Sequence, residues 1–450
     1  MSGIYIGCAD GLPRVYDGEN HLVTVGPPGT GKSTSLLMPN LAYLKRSILV
    51  IDPKGELAAV TARHRQKFGK VVILNPFGVL VDSCPYLKSN GFNPLAVLNP
   101  ESDDFVDDAT AIAEGIIRID PHDPHWSEGA RDFIAALIMH IRQRVGPTAN
   151  LDLMRQLLTE PRKTMKQKGP QTDKKIIIKG GLSLTIDEML NSTYEPIKQK
   201  VGRFDSSSGE IGSIISNAIS QTGFLDSLPI KRDLATKKEF DFCEMRNGVV
   251  TVYLILPINR LSTHANWLRL MVACALRALT NKPDIGTNER VLFMLDEFAQ
   301  LGYMSAISDA MSAARGFRIQ LWPMLQDLTQ LQQIYRDLWE NFLGTAGFCS
   351  FFTPRTLVTA DYLSRRFGVE ERIKHSWSND SSGRSQSSYQ HVKDTIYQPQ
   401  DFFGMPRHSI ICFREFEAKS EFYDAPHYSN QKLAKWCANL DKNPYYVQRR

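Results

Sequence analysis

The sequence predicts an α/β fold: a mainly parallel sheet flanked by helices, interrupted by an inserted all-helical domain. Three observations carry this. Short β-branched runs recur at 22–25, 48–51, 71–74, 249–256, 291–295, 319–322 and 348–352. Several are apolar without alternation, as strands buried on both faces of a parallel sheet must be. Helical patterns alternate with most of them. Between 71–74 and 249–256 the rhythm becomes helical. Phe105, Ala109, Ile112, Ile116 and Ile119 recur at three- and four-residue steps, as do Phe133, Ile134, Leu137, Ile138 and Ile141, then Ile211, Ile214, Ile215 and Ile219.

These patterns divide the chain. Residues 1–99 and 233–430 are expected to form one discontinuous sheet domain, 100–232 the all-helical insert, and 431–450 a C-terminal tail. "NGFNPLAVLNP" and "SLPIKRD" mark the junctions. The serine-rich stretch 375–390 reads as a loop, and "RHSIICFREF" with "KSEFYDA" as a final hairpin. At 450 residues, 42% hydrophobic and 22% charged, the chain has the composition of an ordinary globular protein rather than a disordered or membrane-embedded one. Its net charge of +5 permits a polyanionic partner. Seven scattered cysteines, none in C-x-x-C, read as reduced thiols of a cytosolic protein. The N-terminus carries no signal pattern, and no apolar run approaches the ~18 residues needed to span a bilayer.

The sharpest motif follows the first strand. In "GPPGTGKST", Gly26, Gly31, Lys32 and Ser33 fit the phosphate-binding loop G-x-x-x-x-G-K-[ST] at every fixed position. A triphosphate must be desolvated and held by backbone N–H groups, which requires small residues and positive φ. Gly26, Pro27, Pro28, Gly29, Thr30, Gly31, Lys32, Ser33 and Thr34 are therefore the nucleotide-binding candidates. Lys32 reaches the β- and γ-phosphates, and the Ser33 hydroxyl binds Mg2+. The expected cofactors are ATP and Mg2+.

Such a loop needs acids. In "RVLFMLDEFAQLG" an apolar run ends in Asp296-Glu297. Asp296 is expected to contact Mg2+, and Glu297 to act as general base on the attacking water. Downstream, "SAARGFRIQLWPMLQDL" reads helix, turn, strand, with Arg315 near the helix end and Gln326 just past the strand. Locally, Arg315 is either a solvated residue or one placed to project functionally from the domain surface. Gln326 is either a helix cap or a sensor of the γ-phosphate.

Together these pieces resemble the TraG/TraD family of type IV secretion coupling proteins, ATPases of conjugative DNA transfer. The resemblance is carried by "HLVTVGPPGTGKSTSLLMPNL", "SILVIDPKGELAAVTARHR", "KVVILNPF", "GFNPL", "LDEFAQLG", the 315–326 stretch and "DYLSRRFG". It implies a RecA-like ATPase domain carrying the helical domain, assembled as a homo-hexamer. It implies pumping of single-stranded DNA with its attached relaxase, or of protein substrates, to a secretion channel. The implied partners are the channel's ATPases and inner-membrane components, and the implied place is the cytoplasmic face of the inner membrane. By position, Arg315 carries over as a finger acting on a neighbouring subunit and Gln326 as the sensor. Asp52, Lys54, Gly55 and Glu56 carry over only as a family mark. Members usually begin with transmembrane helices and this chain shows none. Two forms stay open, a member without an anchor and a chain whose anchor is missing.

Two rival functions remain: an FtsK- or HerA-like double-stranded DNA translocase, and a non-hydrolysing recruitment adaptor. Glu297 argues against the second, because pure binding needs no water-activating base. The stretch 162–179, with seven Lys/Arg and one acid, reads as a solvated loop. Its alternative is contact with DNA phosphates. In "DPHDPHW" the prolines make His122 and His125 parts of a turn, and no structural metal is expected.

Overall fold

The computed structural model describes the chain except residues 1–2, 121–122, 162, 169–174, 206–208, 237–239, 282–289, 380–384, 416, 418–419 and 447–450. In chain order the strands are β1 (Ile4–Ala9), β2 (Leu12–Tyr16), β3 (His21–Val25), β4 (Ile48–Ile51), β5 (Lys70–Leu74), β6 (Lys163–Lys168), β7 (Lys175–Gly180) and β8 (Val250–Leu254). They continue with β9 (Val291–Leu295), β10 (Ile319–Leu325), β11 (Ala346–Phe352), β12 (Val369–Asn379), β13 (Ser385–Thr395), β14 (Ser409–Arg414) and β15 (Glu421–Asp424). The chain divides into two compact units, Met1–Leu44 with Trp322–Ala438, and Lys45–Leu321 with Asn439–Arg450. The boundary falls within β10.

In the first unit β3 lies between β11 and β10 and is parallel to both. All five residues of β3 and all seven of β10 are buried, which explains why neither alternates. Beyond β11 the pairing turns antiparallel, through β14, β15, β1 and β2. The β14–β15 hairpin is the one the tail sequence predicts. The β1–β2 hairpin has no counterpart in the sequence reading. Its apolar pattern is interrupted by Gly7, Gly11 and Pro13, and Asp10 and Gly11 turn the chain at φ 52° and 78°.

In the second unit β4 lies between β9 and β8, and β8 pairs with β5, every pair parallel. Between β5 and β8 run helices Phe105–Ile116, Pro124–Val145, Leu151–Thr159, Leu182–Leu190, Glu195–Val201, Gly209–Gln221 and Leu228–Leu234. Their periodic residues form the core: Phe105, Ala109, Ile112, Phe133, Leu137, Ile141 and Ile214 are all buried. Each buried Phe, Leu or Ile side chain among them contributes about 1.5–3 kcal/mol by leaving water.

Three expectations change. The described residues of the serine-rich stretch belong to a strand pair: β12 and β13 run antiparallel from Val369↔Thr395 to Asn379↔Ser385, while 380–384 lie outside the described residues. It lacks an apolar face, so the usual strand signal is absent, while its backbone groups pair regardless. Within the basic stretch the described residues are likewise not loop, because β6 and β7 pair antiparallel from Lys163↔Gly180 to Lys168↔Lys175, while 162 and 169–174 lie outside the described residues. Nor is His125 in a turn. Pro124 occupies the first turn of its helix, where a missing N–H costs nothing, and His125 Nε2 lies 3.0 Å from Glu210 Oε1. His122 lies outside the described residues.

Among the described residues no helix is long and apolar enough to cross a membrane. The seven cysteines form no disulfide.

Candidate functional site

The predicted phosphate loop lies in the first unit, between β3 and the helical segment that starts at Lys32. Gly29 and Gly31 take φ 78° and 99°, the left-handed conformation that glycine adopts without steric cost. Gly26 is needed for a different reason. A Cβ there would come within 2.8 Å of the Phe352 Cβ. After the loop, Lys32–Leu37 forms a wide turn with a Met38 N–H to Ser33 carbonyl bond, continued by helix Met38–Tyr43. The wide turn directly precedes Pro39, which has no N–H to bond to Ser35.

Lys32 is buried, with its ammonium donating to the carbonyls of Gly26 and Pro27. It therefore sits against the loop itself. The Thr30 hydroxyl closes the turn on the Pro27 carbonyl at 2.8 Å. Ser35 Oγ is buried with no hydrogen-bond partner. A buried cation, an unpaired hydroxyl and two left-handed glycines in one loop fit a phosphate group.

The sheet holds this loop rigidly. The Trp322 indole N–H donates to Thr24 Oγ1 at 2.9 Å, and the Thr24 and Ser350 hydroxyls meet at 2.7 Å. A buried polar chain thus ties β10, β3 and β11 together. The first loop N–H, at Gly26, donates to the Leu325 carbonyl at 2.9 Å. With Leu325 paired to Val25, Gln326 starts directly beside the loop. Its N–H donates to Gln330 Oε1 at 2.9 Å.

The sequence reading missed Arg407. Its guanidinium donates to the Gly29 carbonyl through Nε at 3.2 Å and Nη2 at 2.7 Å, placing an exposed cation on the loop tip. Eighty-one residues separate Arg407 from Gln326, and the only local signal is a basic residue after Pro406.

The acids lie in the second unit. β4 and β9 are in register, Ile51 opposite Leu295, so Asp52 and Asp296 follow side by side at the strand ends. Both are buried, at 2% and 8% exposure. Asp52 Oδ2 accepts the Ala58 N–H at 2.8 Å, anchoring the start of helix Glu56–Arg65. Burial pushes the Asp52 carboxyl up to about 7, with the Asp296 and Glu56 charges adding and the Ala58 and Leu57 N–H groups opposing.

Glu297 stands at φ 51°, ψ 40°, a left-handed conformation unusual for a residue with a side chain. Its N–H donates to Asp296 Oδ1 at 3.1 Å. Strain of this kind costs about 1–3 kcal/mol and collects at functional positions. Here it turns the chain sharply after β9 and leaves Glu297 half-buried beside buried Asp296. Arg315 belongs to the turn Ala314–Phe317 that precedes β10, and its side chain lies outside the described residues.

The sequence profile of the family described as "Type IV secretory system Conjugative DNA transfer" matches residues 4–434. The conjugal transfer protein TraG of Rhizobium radiobacter is 26% identical over 391 residues, covering 85% of this chain and 57% of its own. Protein VirD4 of Agrobacterium fabrum is 26% identical over 363 residues, covering 78% and 50%. The chain thus spans 57% and 50% of the length of these two relatives. In fold it is similar to the unbound bacterial conjugative coupling protein TrwBdeltaN70, with a TM-score of 0.66 at 15% identity over 95% of this chain and 88% of that one. The same protein solved with ADP and Mg2+ gives 0.65 at 14% identity over 96% and 91%. These likenesses show the RecA-like P-loop fold that the sequence predicts. With the profile spanning nearly the whole chain, the protein belongs to the type IV secretion coupling proteins of conjugative DNA transfer, the TraG/TraD family.

Proposed function

We propose that this protein is a Mg2+-dependent ATPase that drives single-stranded DNA, with its attached relaxase, or protein substrates toward a type IV secretion channel. The observation that carries the reading is the buried Lys32 ammonium inside a loop with two left-handed glycines. Family membership supports the direction of the work. TrwB has been solved with ADP and Mg2+, which supports the choice of cofactor.

In this reading the loop Gly26–Thr34 wraps the phosphates with its N–H groups, and Lys32 turns from its own carbonyls to the β- and γ-phosphates. Ser33 and Asp296 would hold Mg2+, which on binding supplies charge neutralisation at the phosphates. Glu297 orients the attacking water and accepts its proton. Gln326, beside Gly26, senses the γ-phosphate by hydrogen bonding. Arg315 reaches the nucleotide of a neighbouring subunit in a homo-hexamer. We read 100–232 as a domain of its own inserted in the ATPase domain of 1–99 and 233–430. The ring would work at the cytoplasmic face of the inner membrane, against the channel's ATPases and membrane components.

The test is hydrolysis with and without DNA. Lys32→Ala is expected to remove most nucleotide binding. Glu297→Gln is expected to keep binding and to slow turnover at least a hundredfold. Single-stranded DNA is expected to stimulate the parent protein, less so as salt rises, because binding releases counterions. Normal turnover in Glu297→Gln would remove the base assignment. Stimulation by duplex alone would favour a double-strand translocase, and no turnover at all an adaptor.

A further inference from the structure

In the second unit, β4 and β8 are parallel neighbours and release their chains at the same sheet edge. Asp52-Pro53-Lys54-Gly55-Glu56 follows one, and Pro257-Ile258-Asn259 is next to the other. Residues 439–446 return to this edge and are fastened there. Asp441 donates its N–H to the Val60 carbonyl at 3.1 Å and takes Arg63 on its carboxylate. The Asn443 side chain donates to Glu56 Oε1 at 2.6 Å, and the Tyr445 hydroxyl to the Lys54 carbonyl at 2.8 Å.

The result is an open hollow of about 560 Å3, lined by Lys54, Glu56, Ile258, Asn259, Tyr445 and Tyr446. Its apolar surfaces face solvent: Ile258 is 55% exposed, Tyr445 51% and Tyr446 61%. Glu56 is buried and holds Asn443, so the exposed charge in the hollow is Lys54. Exposed Arg260 stands at the same edge, 5.7 Å over the Phe77 ring.

Aromatic faces beside cations suit a ligand that is anionic along its length and flat and apolar at intervals. A single strand of nucleic acid is such a ligand, because its bases stack on aromatic rings while its phosphates meet the cations. A duplex hides those base faces. The Tyr445 ring is already held through its hydroxyl, so little freedom is lost on stacking. We propose that Tyr446, Tyr445 and Lys54 form a contact for single-stranded DNA at this sheet edge. The proposal rests on the DNA-transfer reading above and names where the strand is touched. It also gives the contact a route to the acids. Lys54 is two residues from Asp52, which stands beside Asp296 at the strand ends.

The experiment measures binding of a fluorescent oligothymidylate to the full chain by anisotropy, across a salt series. Tyr446→Ala is expected to weaken binding roughly tenfold, and Tyr446→Trp to keep it. Lys54→Met, which preserves the stem and removes the charge, is expected to lower the salt slope by about 0.7. An abasic strand with the same phosphates is expected to bind the parent and Tyr446→Ala alike. Parent-like affinity in Tyr446→Ala, or equal weakening on the abasic strand, would overturn the stacking site and leave the DNA-transfer reading standing. Failure of the parent chain to bind any single strand would overturn both.

Discussion

Asp52 shows how one residue ties stability to the site. Its carboxyl is raised from 3.8 to about 7 mainly by burial, so the folded state holds a proton that the unfolded state has already released in that window. The unfolded state therefore binds fewer protons there, and stability falls as pH rises from about 4 to 7. Asp52→Asn keeps an oxygen to accept the Ala58 N–H and removes the charge. With a chelator present, its thermal midpoint is expected to be flatter across that window than the parent's and higher above pH 7. Equal pH slopes would mean that the ionised carboxylate costs nothing where it stands. Glu297, next to Asp296, shows a second kind of cost. Its left-handed backbone is held by what surrounds it, which is why residue types could suggest the proposed base while the strain could not be read from them.

Among the elements, the helix after the phosphate loop is fixed by one buried side chain. Asn40 accepts the Tyr5 N–H and donates to the Tyr5 and Leu36 carbonyls, each at 2.8 Å. Asn40→Ala would orphan the N–H and C=O of Tyr5 inside the core. A loss of about 2–4 kcal/mol in urea unfolding is expected, against about 0.5 kcal/mol for an exposed polar-to-alanine change. The same contact explains why β1 escaped the sequence reading. Its buried apolar run Ile4–Ile6 is cut short by Gly7, and its place is set by pairing with β2 and β15 and by a hydrogen bond from a residue thirty-five positions away. β12–β13 escaped for a related reason, since polar strands leave no periodicity to read.

At the scale of the whole molecule, the proposed ring makes catalysis depend on a neighbour. Arg315→Ala should leave ATP affinity nearly intact and lower turnover by about 10³–10⁵, the worth of such a finger. Turnover per subunit of the parent protein should rise with concentration as subunits assemble. Mixing Arg315→Ala with Glu297→Gln, each nearly inactive, should restore part of the rate, because some interfaces then join an intact Glu297 to an intact Arg315. No recovery in rings shown by native mass spectrometry to be mixed would place the action of Arg315 within its own chain.

By itself the sequence determined the parts whose physics is local. The loop Gly26–Ser33 was legible because its glycines and lysine stand at the fixed spacing of the phosphate-loop pattern. The strands β3, β4, β8, β9 and β10 were legible because burial on both faces removes polar residues from a run. Asp296 and Glu297 were legible because they end such a run. Only the tertiary structure decided what depends on register and return of the chain. It set Asp52 beside Asp296, because Ile51 pairs with Leu295. It started Gln326 beside Gly26, because Leu325 pairs with Val25. It brought Arg407 to the Gly29 carbonyl and Tyr445 to the Lys54 carbonyl. Those contacts join residues hundreds of positions apart, and a hydrogen bond between distant segments leaves no periodic trace in either of them.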